Sequence, residues 1–156
     1  MSDETGKKLS GSMDYKEKVN KIDSLLNDLD AVYHFASRRL GISDSVLIVL
    51  YEVHVSGGSC PLSSITKNNG ISKQTVNSAV RRLERDGILR LEPYKGKAKL
   101  VTLTEKGRAY AETTAGRLYE AECGVLCGWT QQEIDIYLSL SERFNISLRE
   151  QIENWS

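Results

Sequence analysis

Residues 71–87 constrain the fold more than any other part of the chain, because their apolar side chains keep to a helical spacing. Ser72 can cap the N-terminus of this helix, and Gly87 can end it. The pattern therefore predicts an amphipathic helix with one buried face and one polar face. The predicted buried face consists of Val76, Ala79, Val80 and Leu83.

A short helix and a tight turn are predicted just before this segment. Pro61 suits a helix start because its fixed φ and missing N–H cost nothing in the first turn, and Leu62 and Ile65 would point inward. The run Asn68-Asn69-Gly70 then tolerates the left-handed backbone that a tight turn requires.

A β-hairpin is predicted just after it. Residues 88–92 and 99–103 are compatible with strands, and the segment between them carries Lys95 and Lys97 near its tip. The order short helix, turn, capped helix and basic hairpin is that of a helix-turn-helix with a wing.

The charge of the chain is concentrated in this region. Residues 72–99 hold eight basic and three acidic side chains, a net of +5, although the formal net charge of the whole protein is zero. The remainder must therefore carry −5. One cationic region on an anionic body favours oriented docking on a polyanion.

In a helix-turn-helix the second helix lies in the major groove with its N-terminal residues toward the base edges. Polar faces occur on every amphipathic helix, but a winged helix that binds only proteins would not need the basic hairpin. We therefore predict binding to double-stranded DNA. The expected DNA-binding residues are Ser72, Lys73, Gln74, Thr75, Asn77, Ser78, Arg81, Arg82, Lys95, Lys97 and Lys99.

Long helices are predicted on both sides of this unit. Residues 13–40 carry a stripe of apolar side chains, a second helix runs from Ser43 to about Val55, and a third from Thr104 to about Cys127. A final helix, about 131–155, follows a capping box at Thr130. Its expected buried face consists of Ile134, Tyr137, Leu140, Phe144, Leu148 and Ile152.

The predicted fold class is mainly α with a small β-hairpin wing. Its expected parts are a disordered tail (1–12), an N-terminal dimerisation helix (13–42), a winged helix-turn-helix (43–104) and C-terminal dimerisation helices (105–156). The stripes of the long helices would suit a dimer, and they could also pack within one chain.

Catalysis, cofactors and metals are not expected. The chain has no Gly-rich phosphate loop and no metal-binding helix motif. Cys123 and Cys127 share a helix face but are expected to be small buried residues. Cys60 precedes Pro61 at a helix start, where the helix dipole could lower its pKa and permit redox sensing. His34 and His54 stand alone.

Targeting signals are also not expected. The N-terminal residues have no apolar run, and no later stretch is long and apolar enough to span a membrane. We therefore expect a cytoplasmic protein without a membrane partner.

The chain resembles the multiple-antibiotic-resistance regulator (MarR) family over about residues 13–155. The most specific parts are ISKQTVNSAVRRLERDGIL and LVTLTEKGRAYA. The resemblance implies an intertwined homodimer that binds a pseudo-palindromic operator as a repressor and responds to a small-molecule effector or thiol oxidation. One departure from the family concerns the wing. The family commonly has an Asp-x-Arg motif at the tip of the wing, and the corresponding positions of this shorter hairpin are Lys95 and Lys97. Because Lys lacks the planar fork of Arg, we expect this wing to hold phosphates.

Overall fold

The computed structural model describes residues 12–155, which form seven α-helices and one small antiparallel sheet. The helices are α1 (Ser12–Leu40), α2 (Asp44–Val55), α3 (Leu62–Asn68), α4 (Lys73–Arg85), α5 (Glu105–Ala111), α6 (Arg117–Cys127) and α7 (Gln131–Glu153). The strands are β1 (Ser59–Pro61), β2 (Leu89–Pro93) and β3 (Lys99–Leu103). Most of the disordered tail expected at residues 1–12 lies outside the described part, whereas Ser12 already belongs to α1.

The predicted helix starts are confirmed by their caps. The hydroxyl groups of Ser72 and Thr104 accept hydrogen bonds from backbone N–H groups two residues inside α4 and α5, at 3.1 and 2.9 Å. Ser43 caps α2 in the same way. At α7, Thr130 and Glu133 form the reciprocal capping box.

The core lies between α2, α4 and the sheet. The four predicted residues of the apolar face of α4 are all buried, and α2 lies across them. Burial of these side chains supplies most of the driving force that holds the winged helix together. The largest fully buried core side chains are Leu50, Ile65, Leu89, Val49, Val53, Val76, Val80 and Val101.

The sheet has a third strand that the sequence interpretation missed. The strand order is β1-β3-β2, with Cys60 of β1 and Leu91 of β2 both opposite Val101. Pro61 is therefore the last residue of an edge strand as well as the N-cap of α3, and not the first helical residue as predicted. Proline is tolerated there because an edge strand leaves some N–H groups unpaired.

The predicted helix from 105 to 127 is interrupted by a π-helical turn, Glu112–Gly116. In this turn the Thr114 hydroxyl donates to the Tyr110 carbonyl at 2.7 Å, and Thr113 donates to the same carbonyl at 3.1 Å. Such side-chain bonds compete with the regular backbone ladder. At the start of the segment, a Cβ on Gly107 would lie 1.9 Å from the Ile88 carbonyl oxygen, so only glycine allows this close approach of α5 to the hairpin.

The apolar faces of the outer helices are exposed. Neither α6 nor α7 has a buried residue, and the expectation that α7 buries its apolar stripe is wrong for the chain alone. Cys123 and Cys127 are likewise exposed and not buried as expected. The stripes of α1 and α7 are therefore largely exposed within the described part of the chain, whereas Ala111 and Leu118 of the α5–α6 segment pack against the core. Among residues 12–155, no helix has the length and apolarity needed to cross a bilayer.

Candidate nucleic-acid interface

Helix α4 presents a polar row on the side away from the core. At about 100° per residue, every third or fourth side chain returns to the same face, so the residues opposite Val76 and Val80 can be identified from the helix geometry. All members of this row are exposed. The outward row consists of Gln74, Ser78, Arg81 and Arg85.

The remaining predicted residues of α4 lie beside this row. Lys73 and Asn77 are exposed on one flank, and Thr75 and Arg82 on the other. The hydroxyl groups of Ser72 and Thr75 lie 2.8 Å apart, and Ser72 also caps the helix. Ser72 therefore both caps the N-terminus of α4 and remains exposed to solvent.

Two arginines of α4 have different surroundings. Arg82 lines a cavity of about 260 Å³ at the back of the winged helix, together with Ser43 and Lys106. Arg85 lies on the outward row although it was not among the predicted DNA-binding residues. The helical spacing of Arg85 from Gln74, Ser78 and Arg81 is the signal that identifies it.

The hairpin forms a compact basic tip. The Ala98 N–H donates to the Lys95 carbonyl at 3.1 Å, which closes a four-residue turn, and Gly96 there has a φ of 59°. Lys95 Nζ lies 5.6 Å from the centroid of the Tyr94 ring. Lys97 and Lys99 are exposed beside it. The geometry of the tip therefore concentrates cations at one end of the sheet.

One basic residue of the hairpin is already paired. Arg90 Nε lies 3.0 Å from a carboxylate oxygen of Glu92, and Thr102 donates to the other oxygen of the same carboxylate at 3.3 Å. The base of the hairpin is therefore locally neutralised, whereas its tip is not. This difference directs the positive potential of the hairpin toward its tip.

Comparison with known proteins gives a family match for the winged helix. The sequence model of the MarR family matches residues 40–98, which span α2 through the tip of the hairpin. This segment of the chain is therefore similar in sequence to the MarR family. No curated protein sequence matches the chain.

Solved structures of transcriptional regulators, two of them described as MarR family members, share the fold over most of the chain. A regulator from Neisseria meningitidis is 19% identical with a TM-score of 0.75, covering 88% of this chain and 99% of its own. A putative regulator from Listeria monocytogenes, solved in complex with a 26mer DNA, is 19% identical with a TM-score of 0.64, covering 85% and 89%. The PcaV regulator from Streptomyces coelicolor, in complex with its natural ligand, is 18% identical with a TM-score of 0.57, covering 80% and 91%. The chain thus has the MarR fold, including its terminal helices.

A cavity of about 450 Å³ lies between α1, α2 and α6. It is lined by apolar and aromatic side chains together with several carboxylates. The lining residues are Asp30, Tyr33, His34, Asp44, Leu47, Ile48, Tyr51, Asn69, Leu118 and Glu122.

Glu122 connects three helices within this cavity. The Tyr33 hydroxyl of α1 donates to Glu122 Oε1 at 2.6 Å, and the Tyr51 hydroxyl of α2 donates to Oε2. Burial, reinforced by the hydrogen bond to Glu122, raises the pKa of Tyr33 to about 12, and the same causes raise the pKa of Tyr51. Both tyrosines are therefore neutral hydrogen-bond donors to the carboxylate group of Glu122.

Both histidines contact side chains of other helices. His34 Nδ1 lies 2.8 Å from a carboxylate oxygen of Asp44, and His54 packs edge-on against Tyr119. Within residues 12–155, no group of three or more His, Cys, Asp and Glu side chains is arranged to hold a metal ion.

The pKa of Cys60 is raised, and not lowered as its position next to a helix start suggested. Its side chain is only 4% exposed in the edge strand, and burial, with the nearby charge of Glu52, raises the pKa of its thiol to about 11. A dipole effect would have lowered this pKa. The desolvation of the thiolate therefore outweighs the helix terminus.

Proposed function

We propose that this protein is a transcriptional regulator, acting as a repressor, that binds a pseudo-palindromic operator in double-stranded DNA as a homodimer. The observation that carries the proposal is that one winged helix, similar to that of the MarR family, has both the outward polar row of α4 and a basic hairpin tip whose lysines form no ion pair among residues 12–155. Such a protein would act in the cytoplasm.

The proposed contacts divide between α4 and the wing. Uncharged Gln74, Asn77 and Ser78 suit base edges in the major groove, because amides and hydroxyls can donate and accept there. The basic side chains and the capping hydroxyls suit phosphates, which position the helix. The proposed phosphate-binding residues are Ser72, Lys73, Thr75, Arg81, Arg82, Arg85, Lys95, Lys97 and Lys99.

We propose that a second copy of the chain packs against the exposed apolar faces of α1 and α7. A groove of about 790 Å³ between α1 and α7 is lined by Leu26, Leu29, Leu140 and Phe144. An isolated helix gains little stability in water, so a helix of 23 residues without any buried side chain requires a partner. We assign residues 13–42 and 105–156 to the dimer and residues 43–104 to DNA binding.

The cavity between α1, α2 and α6 is the proposed effector site. Its volume lies within the range of roughly 300–1,000 Å³ that is typical of small-molecule pockets. It joins a proposed dimerisation helix, α1, to the DNA-binding unit through α2 and Asn69. A ligand that separates these elements would change the spacing of the two α4 helices in a dimer.

Selection of bound DNA from a random pool tests the proposal. We expect enrichment of an inverted repeat whose half-sites lie about one helical turn apart, because two-fold symmetry of the protein requires it. A variant with both Arg81 and Arg85 changed to Ala serves as the control and should enrich poorly. Failure of the wild-type protein to enrich any sequence would favour the alternative, a winged helix used only for protein contacts.

A further inference from the structure

We propose that the effector cavity accepts an organic cation, a protonated or quaternary amine attached to an apolar or aromatic body. This inference rests on the proposed function only for the effect of the ligand on DNA. The recognition itself follows from the walls of the cavity.

The first observation is the charge of the walls. Asp30, Asp44 and Glu122 line the cavity, and its lining contains neither Lys nor Arg. His34 is the one basic side chain of the lining, and it is already bonded to Asp44. The field inside the cavity therefore attracts cations and repels carboxylates and phenolates.

The second observation is the position of the Glu122 carboxylate. Each of its oxygens accepts one tyrosine hydroxyl, which fixes the carboxylate group in one orientation. Among the ion pairs of the described residues, none includes Glu122. Each carboxylate oxygen can accept a further hydrogen bond. An ammonium group would supply both this hydrogen bond and the missing counter-charge.

The third observation is the chemistry of the remaining wall. Leu47, Ile48 and Leu118 provide apolar surface, and Tyr33 and Tyr51 add two aromatic rings. Aromatic faces attract cations by about 0.5–2 kcal/mol, more as the site is desolvated. An apolar body with one positive charge therefore matches the cavity better than a neutral sugar or an anionic acid.

The cavity also reaches the element that would read DNA. Asn69 lies in the turn between α3 and α4, and its side-chain amide donates to the Ile65 carbonyl at 3.0 Å. A cation held by Glu122 would thus contact α1, α2 and the turn that leads into α4. Occupancy would bias the position of α4 relative to the proposed dimer.

Three probes of similar size but different charge test the inference: phenethylamine, phenylethanol and phenylacetate. Each is titrated into the full-length wild-type protein by calorimetry, and amide NMR shifts of Asn69 report whether the cavity is occupied. We expect phenethylamine to bind at millimolar or lower concentrations, phenylethanol to bind more weakly, and phenylacetate not to bind. The change Glu122→Gln keeps the shape and should reduce the preference for phenethylamine over phenylethanol by about tenfold.

The matched control is Glu120→Gln, which removes the same charge from an exposed position of α6 outside the cavity lining and should leave all three affinities unchanged. Equal or tighter binding of phenylacetate by the wild-type protein would overturn the inference, even if Glu122→Gln fails to fold. So would the absence of phenethylamine binding. Operator binding is measured separately without probe, so a protein that binds DNA but no amine refutes this inference alone.

Discussion

The two neighbouring arginines of α4 carry the same charge but face different surroundings. Arg81 lies on the outward row, whereas Arg82 lines the small cavity with Ser43 and Lys106. Residues next to each other on a helix point about 100° apart, so both cannot meet the same groove equally. The structure therefore separates two residues that appear equivalent in the sequence.

We predict that Arg81→Ala weakens operator binding, by less than about 1–3 kcal/mol for the phosphate contact proposed above and by about 1–3 kcal/mol for a base contact, and that Arg82→Ala weakens it less than Arg81→Ala does. Fluorescence anisotropy with the selected operator measures both affinities. The control is Arg149→Ala, an exposed position of α7. Wild-type affinity in Arg81→Ala would mean that the outward row of α4 does not enter the groove.

Cys60 provides a second prediction for a single residue. With the exposed cysteines changed to Ser, a protein that retains only Cys60 should react very slowly with a thiol reagent at neutral pH, because the thiolate is the reactive form and the pKa of Cys60 is about 11. In urea the same thiol should react fully. Peroxide should leave DNA binding by this variant unchanged. Rapid reaction of the folded protein would restore Cys60 as a candidate sensor.

At the level of elements, α4 and the hairpin have different proposed tasks. The hairpin tip offers flexible ammonium groups, which suit phosphates, whereas α4 offers amides and hydroxyls as well as cations. Phosphate contacts release counterions and base contacts by uncharged groups do not. Salt dependence therefore distinguishes the two elements experimentally.

Replacing both Lys95 and Lys97 by Ala should weaken specific and non-specific DNA binding alike while sequence preference survives. In a dimer this change removes up to four phosphate contacts, so the slope of log affinity against log salt should become shallower by up to about 3.6. Replacing Gln74 and Asn77 by Ala should leave the slope and reduce discrimination between operator and random DNA. The lysine variant could instead lose discrimination between operator and random DNA while its salt slope stays unchanged. That result would mean that the wing reads DNA sequence or shape.

For the whole molecule, the exposed outer helices require an explanation. Large apolar side chains of α1 are exposed by 38–64%, and those of α7 by 44–59%. Soluble monomers rarely expose contiguous apolar patches of this extent. A symmetric dimer would bury the same faces of both copies at once.

We predict that Leu26→Asp or Leu140→Asp, both in the groove between α1 and α7, dissociates the dimer and lowers its thermal stability. A charge buried without a partner costs several kcal/mol, which is a large part of the stability of a small protein. Analytical ultracentrifugation and thermal melts measure the two effects. The control Asn27→Asp adds the same charge on the polar side of α1, and a stable, folded wild-type monomer would contradict the prediction.

Features that depend on neighbours within one or two turns could be predicted from the sequence alone. Ser72 and Thr130 act as the predicted caps, the apolar face of α4 is buried, and the basic hairpin forms between the predicted strands. These features depend on local spacing, capping hydrogen bonds and turn residues, all of which are visible in a short window.

Features that join distant parts of the chain depend on how its helices and strands pack. The edge strand β1 is defined by its pairing with β3, and the desolvation of Cys60 follows from that position. Glu122 meets Tyr33 across 89 residues of sequence, so no local pattern could place them in one cavity. Burial and long-range hydrogen bonds depend on how helices and strands pack. An apolar stripe is therefore buried in α4, which packs against α2 and the sheet, whereas a similar stripe in α7 stays exposed.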